Sequence, residues 1–181
     1  MNYIPNLLTL LRISLVPVLI LLLNNQSYTM ALWVFMLAGL TDGLDGLIAR
    51  RYGYFTQLGA VLDPLADKFL LLSSFVMLTV AGDLPFWLLI IVAFRELIII
   101  TGVMLLTILY DHFEMKPIIS SKVNTFMQIM LVILVLVERA EILNLSGLIS
   151  VLIWIVTMTT IISGFQYVLE WVIRREQDEK S

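Results

Sequence analysis

Residues Asp42 to Lys68 read DGLDGLIARRYGYFTQLGAVLDPLADK, a polar stretch with four aspartates in an otherwise apolar chain. If this stretch forms a helical hairpin, Asp42 and Asp45 lie one turn apart on the first helix, and Asp63 and Asp67 lie one turn apart on the second. Each pair then shares one helix face. We therefore expect the four carboxylates to converge.

Converging carboxylates repel one another unless a cation lies between them. Hard divalent ions such as Mg²⁺ or Mn²⁺ prefer oxygen ligands, and the chain contains no cysteine that could form a thiolate site. Two adjacent ions can neutralise a diphosphate and the oxygen that attacks it, so the pattern predicts a pair of metal ions for phosphoryl chemistry. The alternative is that the aspartates cap helix ends, the commoner role of a single Asp near a turn.

Small residues in the same stretch would let a bulky ligand lie close to the backbone. They are Gly43, Gly46, Ala49, Gly53 and Gly59.

The composition is that of a polytopic membrane protein. Of the 181 residues, 60% are hydrophobic and 14% are charged, and the mean hydropathy is +0.99, far from the values of a soluble domain. No basic tract indicates a nucleic-acid partner. We predict an all-α integral membrane fold in one domain, residues 1–181, without an internal repeat.

Six apolar stretches are candidates for transmembrane helices, and a short interfacial segment, Met1 to Asn6, is expected before them. The stretches are Leu7–Leu23, Thr29–Leu47, Leu62–Val80, Phe86–Tyr110, Val123–Val137 and Leu145–Leu169. We expect a loop from Ala49 to Tyr54, Pro64 in the first turn of the third helix, and a solvated, frayed tail from Arg174.

Charged side chains inside these stretches have two interpretations each. Arg12 either faces a water-filled or anionic site or extends to the lipid head groups. Arg95 and Glu96 either form a structural ion pair, or Arg95 binds an anionic head group while Glu96 holds it in place.

The distribution of Lys and Arg predicts the orientation in the membrane. With six spans, only Arg139 lies on one side, whereas the side with the acidic stretch has Arg50, Arg51, Lys68, Lys116, Lys122, Arg174, Arg175 and Lys180. Positive loops stay in the cytoplasm, so the acidic stretch should face the cytoplasm of a bacterial-type inner membrane.

The pattern DxxDGxxAR, eight residues, then GxxxDxxxD resembles the signature of the CDP-alcohol phosphatidyltransferases. Every fixed position is filled, by Asp42, Asp45, Gly46, Ala49, Arg50, Gly59, Asp63 and Asp67. IPNLLTLLR at the amino end and ISGFQY near the carboxyl end extend the resemblance over nearly the whole chain. It implies an enzyme that transfers the phosphatidyl group of CDP-diacylglycerol to an alcohol and releases CMP, and it implies a homodimer.

The resemblance also implies roles for individual residues. Asp42, Asp45, Asp63 and Asp67 would bind the metal ions, and Asp67 would also take the proton of the attacking hydroxyl. The CDP-binding set would be Asp42, Gly46, Ala49, Arg50, Gly59, Asn6 and Thr9. The acceptor-binding residues would be Arg95, Lys122, Asn124 and Lys116. Gly102, Ser163 and Gly164 are small residues of the kind that allow close helix contacts, so they are candidates for a dimer contact.

The acceptor is predicted from charge. Family members that use glycerol 3-phosphate typically carry GKxKT before the fifth helix and an Arg after the mid-membrane Arg-Glu pair. Here the first of these places reads SKVNT, so Asn124 replaces the second Lys, and Met104 stands where the Arg is expected. Because a phosphate monoester carries nearly two negative charges and a diester one, two missing cations favour the diester.

SKVNT and LAGLTDGLDGLIAR also resemble segments of CMP-forming cardiolipin synthases, although those more often have Asp after the Arg at position 95. We therefore expect phosphatidylglycerol as acceptor and cardiolipin as product, with phosphatidylglycerophosphate synthesis from glycerol 3-phosphate as the alternative. A cation transporter is a third interpretation of charged residues inside a six-helix bundle. Transporter-like broken helices at mid-membrane are not apparent in the sequence.

Overall fold

A computed structural model describes the backbone of residues 4–52, 57–109 and 119–178, and the side chains of residues 11–41, 68–102 and 119–169. Within these ranges the chain forms six α-helices and no strand. They are α1 (Ile4–Asn24), α2 (Tyr28–Tyr52), α3 (Gln57–Val80), α4 (Phe86–Leu109), α5 (Ile119–Arg139) and α6 (Ser146–Asp178). The predicted all-helical class is confirmed.

The helices are longer than the apolar stretches that predicted them. α1 begins at Ile4, so residues 4–6 of the expected interfacial segment are helical, since Pro5 fits a first helical turn. α2 continues to Tyr52, so residues 49–52 of the expected loop are helical. α3 begins at Gln57, which places Pro64 inside that helix and not in its first turn. α6 continues through the predicted frayed tail to Asp178. The predictions of a loop directly after Ala49, of Pro64 in a first turn and of a frayed tail were therefore wrong.

The chain divides into two compact units. The first contains residues 1–84 and 132–146, and in it α1 packs against both α2 and α3. Its interior includes Leu19, Phe75 and Leu78, all fully buried. Where the helices lie in lipid, such side chains stabilise the packing by van der Waals contact, because lipid is as apolar as they are.

The second unit contains residues 85–131 and 147–181, and its interior includes Leu88, Leu131 and Val156. A tilted pair of rings, Trp87 on α4 and Trp154 on α6, has centroids 5.6 Å apart. This unit also buries polar side chains, which are described with the candidate active site. The prediction of a single domain over residues 1–181 stays a prediction.

Three helix ends in the first unit, those of α1, α3 and α5, have the same hydrogen-bonded motif. Each has one residue in the left-handed region, Gln26 (φ 55°), Gly82 (φ 83°) or Glu141 (φ 58°). The amide of the next residue then bonds back to a carbonyl five residues earlier, which satisfies a helix-terminal acceptor. These bonds join Ser27 N to Leu22 O (2.9 Å), Asp83 N to Leu78 O (2.8 Å) and Ile142 N to Val137 O (3.2 Å).

An ion pair joins two of these helix ends. Arg139 Nε lies 2.6 Å from Asp83 Oδ1, and the Asp83 side chain is only 3% exposed. Burial, together with the neighbouring Asp83 carboxylate, raises the pKa of Tyr28 at the start of α2. The Asp83 carboxylate thus links α2, the α3–α4 turn and the end of α5.

The outer surface of the described helices is strongly apolar. Large side chains such as Leu21, Trp33, Phe94 and Phe165 are each more than 60% exposed. Two helices, Ile119–Arg139 and Ser146–Leu169, meet the length and hydropathy required to cross a membrane, and most of each span is not buried within the protein. Such helices are stable only where lipid or another apolar surface covers them.

The cap of α3 predicts opposite effects for two glycine substitutions. Gly82→Ala should cost about 1 kcal/mol, because alanine is strained at positive φ. The matched control is Gly39→Ala, which lies inside α2 with no atom within 4 Å of the added Cβ; it should gain about 0.5–1 kcal/mol. Thermal unfolding in detergent measures both. A Gly82→Ala protein that unfolds at or above the wild-type temperature contradicts the cap.

Candidate active site

The four signature aspartates lie on two uninterrupted helices. Asp42 and Asp45 are near the end of α2, and Asp63 and Asp67 are in the first half of α3. The backbone therefore keeps each pair at the helical spacing that puts its members on one face. The positions of the four side chains lie outside the described residues, so convergence of the carboxylates stays a prediction.

The predicted nucleotide-binding residues lie on the same three packed helices. Asn6 and Thr9 are on α1, and Gly46, Ala49 and Arg50 follow the first aspartates along α2. Gly59 is in the first turn of α3. Because α1 packs against α2 and α3, the first unit contains every residue predicted to bind metal ions or CDP.

The donor chemistry of these positions fits divalent metal ions. All four are carboxylates, which are the ligands that Mg²⁺ and Mn²⁺ prefer, and the helical backbone keeps them in two pairs. Among the side chains that the structure describes, no group of three or more His, Cys, Asp or Glu could hold a metal. The four signature aspartates are not among those side chains.

Arg12 is fully buried within the first unit. A lipid-facing Arg that extends to the head groups would keep part of its side chain exposed on the protein surface. The burial therefore favours the interpretation in which Arg12 faces the protein interior.

In the second unit, the buried guanidinium of Arg95 joins three helices. Arg95 on α4 is 4% exposed and pairs with the adjacent Glu96 carboxylate. Its Nη2 donates to Ser121 Oγ of α5 at 2.6 Å and to Ser163 Oγ of α6 at 2.9 Å. Its Cζ lies 5.9 Å from the centroid of the Tyr167 ring, a cation–π distance. The charge is thus held by one carboxylate, two hydroxyls and one aromatic face.

One turn after Ser121, the side chain of Asn124 is fully buried. Its Oδ1 accepts hydrogen bonds from Thr159 Oγ1 at 2.9 Å and Thr160 Oγ1 at 2.8 Å, both on α6. Two hydroxyl donors on one atom fix the orientation of the amide. Nδ2 is the opposite end of that amide, and it has no partner among the described residues.

The predicted acceptor-binding residues differ in their surroundings. Arg95 and Asn124 are buried in the second unit, whereas Lys122 is exposed on α5. Lys116 lies outside the described residues. Ser163, which was a candidate for a dimer contact, is fully buried and bonds to Arg95, so it does not lie on a subunit surface.

The sequence reasoning missed the partners of Arg95 and a second buried amide, Gln128. A signal was present: Ser121, Asn124 and Gln128 are spaced by three and four residues, so they form a polar stripe along an otherwise apolar helix. On α6, Thr160 and Ser163 are three residues apart and form a second polar stripe.

The Arg95–Glu96 pair predicts a stability cycle. Arg95→Met should destabilise the protein by about 3–5 kcal/mol, because it removes the cation of a buried pair. Adding Glu96→Gln to that variant should recover more than half of the loss. Lys122→Met, at the exposed cation on α5, should change stability by less than about 0.5 kcal/mol. Chemical unfolding in detergent measures these three variants and Glu96→Gln alone, and purely additive losses at positions 95 and 96 contradict the coupling.

Comparison with known proteins identifies the relatives of this chain. It matches the CDP-alcohol phosphatidyltransferase family over residues 2–162. A probable phosphatidylglycerophosphate synthase of Mycobacterium tuberculosis is 34% identical over 170 residues, covering 90% of this chain and 78% of the relative. The CMP-forming cardiolipin synthase of Homo sapiens is 37% identical over 182 residues, covering 91% of this chain and 60% of the relative. A CDP-diacylglycerol–glycerol-3-phosphate 3-phosphatidyltransferase of Rickettsia typhi is 31% identical over 172 residues, covering 92% and 96%.

These matches confirm the predicted enzyme class and favour phosphatidyl transfer over cation transport. The names of the relatives refer to two different products, cardiolipin and phosphatidylglycerophosphate. With a family match that extends over most of its length, the chain belongs to the CDP-alcohol phosphatidyltransferases.

Proposed function

We propose that this phosphatidyltransferase uses phosphatidylglycerol as its acceptor, so that it joins CDP-diacylglycerol to phosphatidylglycerol and releases CMP and cardiolipin. The observation that carries the choice of acceptor is the neutral, buried Asn124, which stands where the glycerol 3-phosphate pattern GKxKT has a lysine. The similarity to a CMP-forming cardiolipin synthase supports the same choice.

In this proposal Asp42, Asp45, Asp63 and Asp67 hold two divalent ions, Mg²⁺ or Mn²⁺. Ions bound there would neutralise the diphosphate of CDP-diacylglycerol and lower the pKa of the attacking hydroxyl. Gly46, Ala49, Arg50 and Gly59 on α2 and α3, with Asn6 and Thr9 on α1, bind the CDP group.

The reaction exchanges a phosphoanhydride bond for a phosphate ester bond. The acceptor hydroxyl oxygen forms a bond to the phosphatidyl phosphorus, and the bond from that phosphorus to the bridging oxygen of CMP breaks. Asp67 accepts the proton of the hydroxyl, and the bridging oxygen leaves with CMP. A carboxylate close to metal ions is a weak base, and it suffices because the hydroxyl is acidified at the same site.

The charges near Arg95 support a diester acceptor. Arg95 is the only cation among the buried residues that the structure describes in the second unit, and it pairs with Glu96. A phosphate monoester carries about −1.5 to −2 charge at neutral pH, and the neutral Asn124 supplies one cation fewer for that charge than the pattern GKxKT would. A phosphodiester carries one negative charge and needs less compensation. In this proposal Arg95 binds that phosphate, with Asn124, Lys122 and Lys116 as further acceptor contacts.

Glycerol 3-phosphate remains the alternative acceptor, because relatives from Mycobacterium tuberculosis and Rickettsia typhi are named for that chemistry. The product would then be phosphatidylglycerophosphate.

We further propose that all six helices cross the membrane, in a bacterial-type inner membrane with the aspartates on the cytoplasmic side, and that the enzyme is a homodimer. The apolar exposed side chains on α1, α2 and α4 support the additional spans, since water would disfavour them. The excess of Lys and Arg on the signature side supports the orientation.

Substitution of the proposed base tests the chemistry. Asp67→Asn should lower CMP release from CDP-diacylglycerol by at least about 100-fold, because it removes both a metal ligand and the proton acceptor. Purified protein with Mg²⁺ or Mn²⁺ and either acceptor provides the assay. Asp178→Asn, at the end of α6, is the control and should leave the rate unchanged. Equal rates for wild type and Asp67→Asn would contradict the mechanism.

Competition between the two acceptors tests the specificity. Wild-type protein should form cardiolipin from phosphatidylglycerol in preference to phosphatidylglycerophosphate from glycerol 3-phosphate, as identified by product mass. Asn124→Lys should raise the monoester-to-diester rate ratio about 10-fold by adding a cation. The control Val123→Lys adds the same charge at a 42% exposed position and should leave the ratio unchanged. Phosphatidylglycerophosphate as the sole wild-type product overturns the choice of acceptor.

A further inference from the structure

Gln128 is a second buried amide on α5, one turn after Asn124. Its side chain is fully buried, and neither Oε1 nor Nε2 has a hydrogen-bond partner within the described part of the chain. Asn124 Nδ2 and Arg95 Nε are also buried without partners in that part. Gln128, Asn124 and Arg95 therefore each have hydrogen-bonding capacity that the described residues do not use.

Unused polar groups in an apolar interior are costly. A buried donor or acceptor without a partner costs about 1–3 kcal/mol, and most such groups in native proteins are satisfied. A methionine at position 128 would have a similar shape and no such cost. The amide at this position is therefore better explained by a partner that binds during the reaction.

The unused groups specify the chemistry of that partner. Arg95 Nε and Asn124 Nδ2 can only donate, which suits the oxygens of a phosphate ester. The Gln128 amide both donates and accepts, and a hydroxyl group is the neutral partner that does both. The stripe thus offers donors to a phosphate ester and, one turn after Asn124 along α5, an amide that can bind a hydroxyl.

We propose that Gln128 is a specificity-determining residue that binds the acceptor hydroxyl that does not react. This inference rests on the proposed function, in which the acceptor phosphate binds at Arg95. Phosphatidylglycerol and glycerol 3-phosphate both have a glycerol unit with two free hydroxyls, one of which attacks while the other remains. Gln128 therefore recognises the glycerol unit itself, whichever of the two esters it carries.

Binding at Gln128 requires local movement of the helices, because solvent does not reach the amide. That movement costs free energy, and the cost is offset when the unpartnered polar groups form hydrogen bonds to the acceptor. Only an acceptor with the correct hydroxyl forms all of these bonds. An acceptor that lacks the hydroxyl opens the same site and leaves the amide unsatisfied.

The test compares acceptors that differ by one hydroxyl. Phosphatidylglycerol is paired with phosphatidyl-1,3-propanediol, and glycerol 3-phosphate with 3-hydroxypropyl phosphate; CMP release gives kcat/KM for each. Wild-type protein should prefer the glycerol acceptor by about 10- to 100-fold. Gln128→Met should lower that preference to about 1 while it still uses the deoxy acceptor.

A stability measurement separates this role from a structural one. Without acceptor, Gln128→Met should unfold at a higher temperature than wild type, because the substitution removes an unsatisfied buried amide. Gln166→Met, the same change at an exposed position of α6, should alter neither stability nor preference. A higher unfolding temperature combined with lost preference is the expected pair of results.

The outcomes separate this inference from the proposed function. Wild-type protein that releases CMP but uses glycerol and deoxy acceptors equally overturns the role of Gln128 alone, even if no variant folds. A Gln128→Met protein with unchanged preference does the same. Absence of CMP release with every acceptor overturns both proposals.

Discussion

The structure depends on one constraint, which is that a charge surrounded by apolar helices must be partnered within the protein. Arg95 satisfies it through Glu96, two serine hydroxyls and the face of Tyr167. Those contacts come from three helices of the second unit, so the guanidinium also fixes how α4, α5 and α6 pack there. Interhelical hydrogen bonds in such surroundings contribute about 0.6–2 kcal/mol each, and Asn124 adds two more between α5 and α6.

The same constraint separates structural polar groups from those with spare capacity. Ser74 and Thr157 are buried and bond to carbonyls of their own helices, so they need no further explanation. Gln128 and Asn124 Nδ2 have no such bond in the described part of the chain. A membrane enzyme that must bind a polar acceptor benefits from such groups, because binding satisfies them.

Much of the fold and the family could be predicted from the sequence, and the failures have physical causes. Composition predicted helices, and the spacing of Asp42 through Asp67 identified the family. The helix ends were missed because hydropathy shows where an apolar stretch ends and not where backbone hydrogen bonding ends. α2 continues through Arg and Tyr residues and α6 through Arg and Glu residues, which a helix accommodates. The partners of Arg95 were missed because Ser121 and Ser163 are distant in sequence and are brought to it only by packing.

The proposed mechanism requires that the four aspartates of α2 and α3 hold a pair of divalent ions. Titration of the purified enzyme with Mn²⁺, followed by electron paramagnetic resonance, measures this without any assumption about the acceptor. The proposed mechanism predicts two bound ions per chain with coupled spins, and loss of that coupled signal when Asp63 and Asp67 are both replaced by Asn. Binding of Mn²⁺ to wild type that is no greater than to the doubly substituted protein would contradict it.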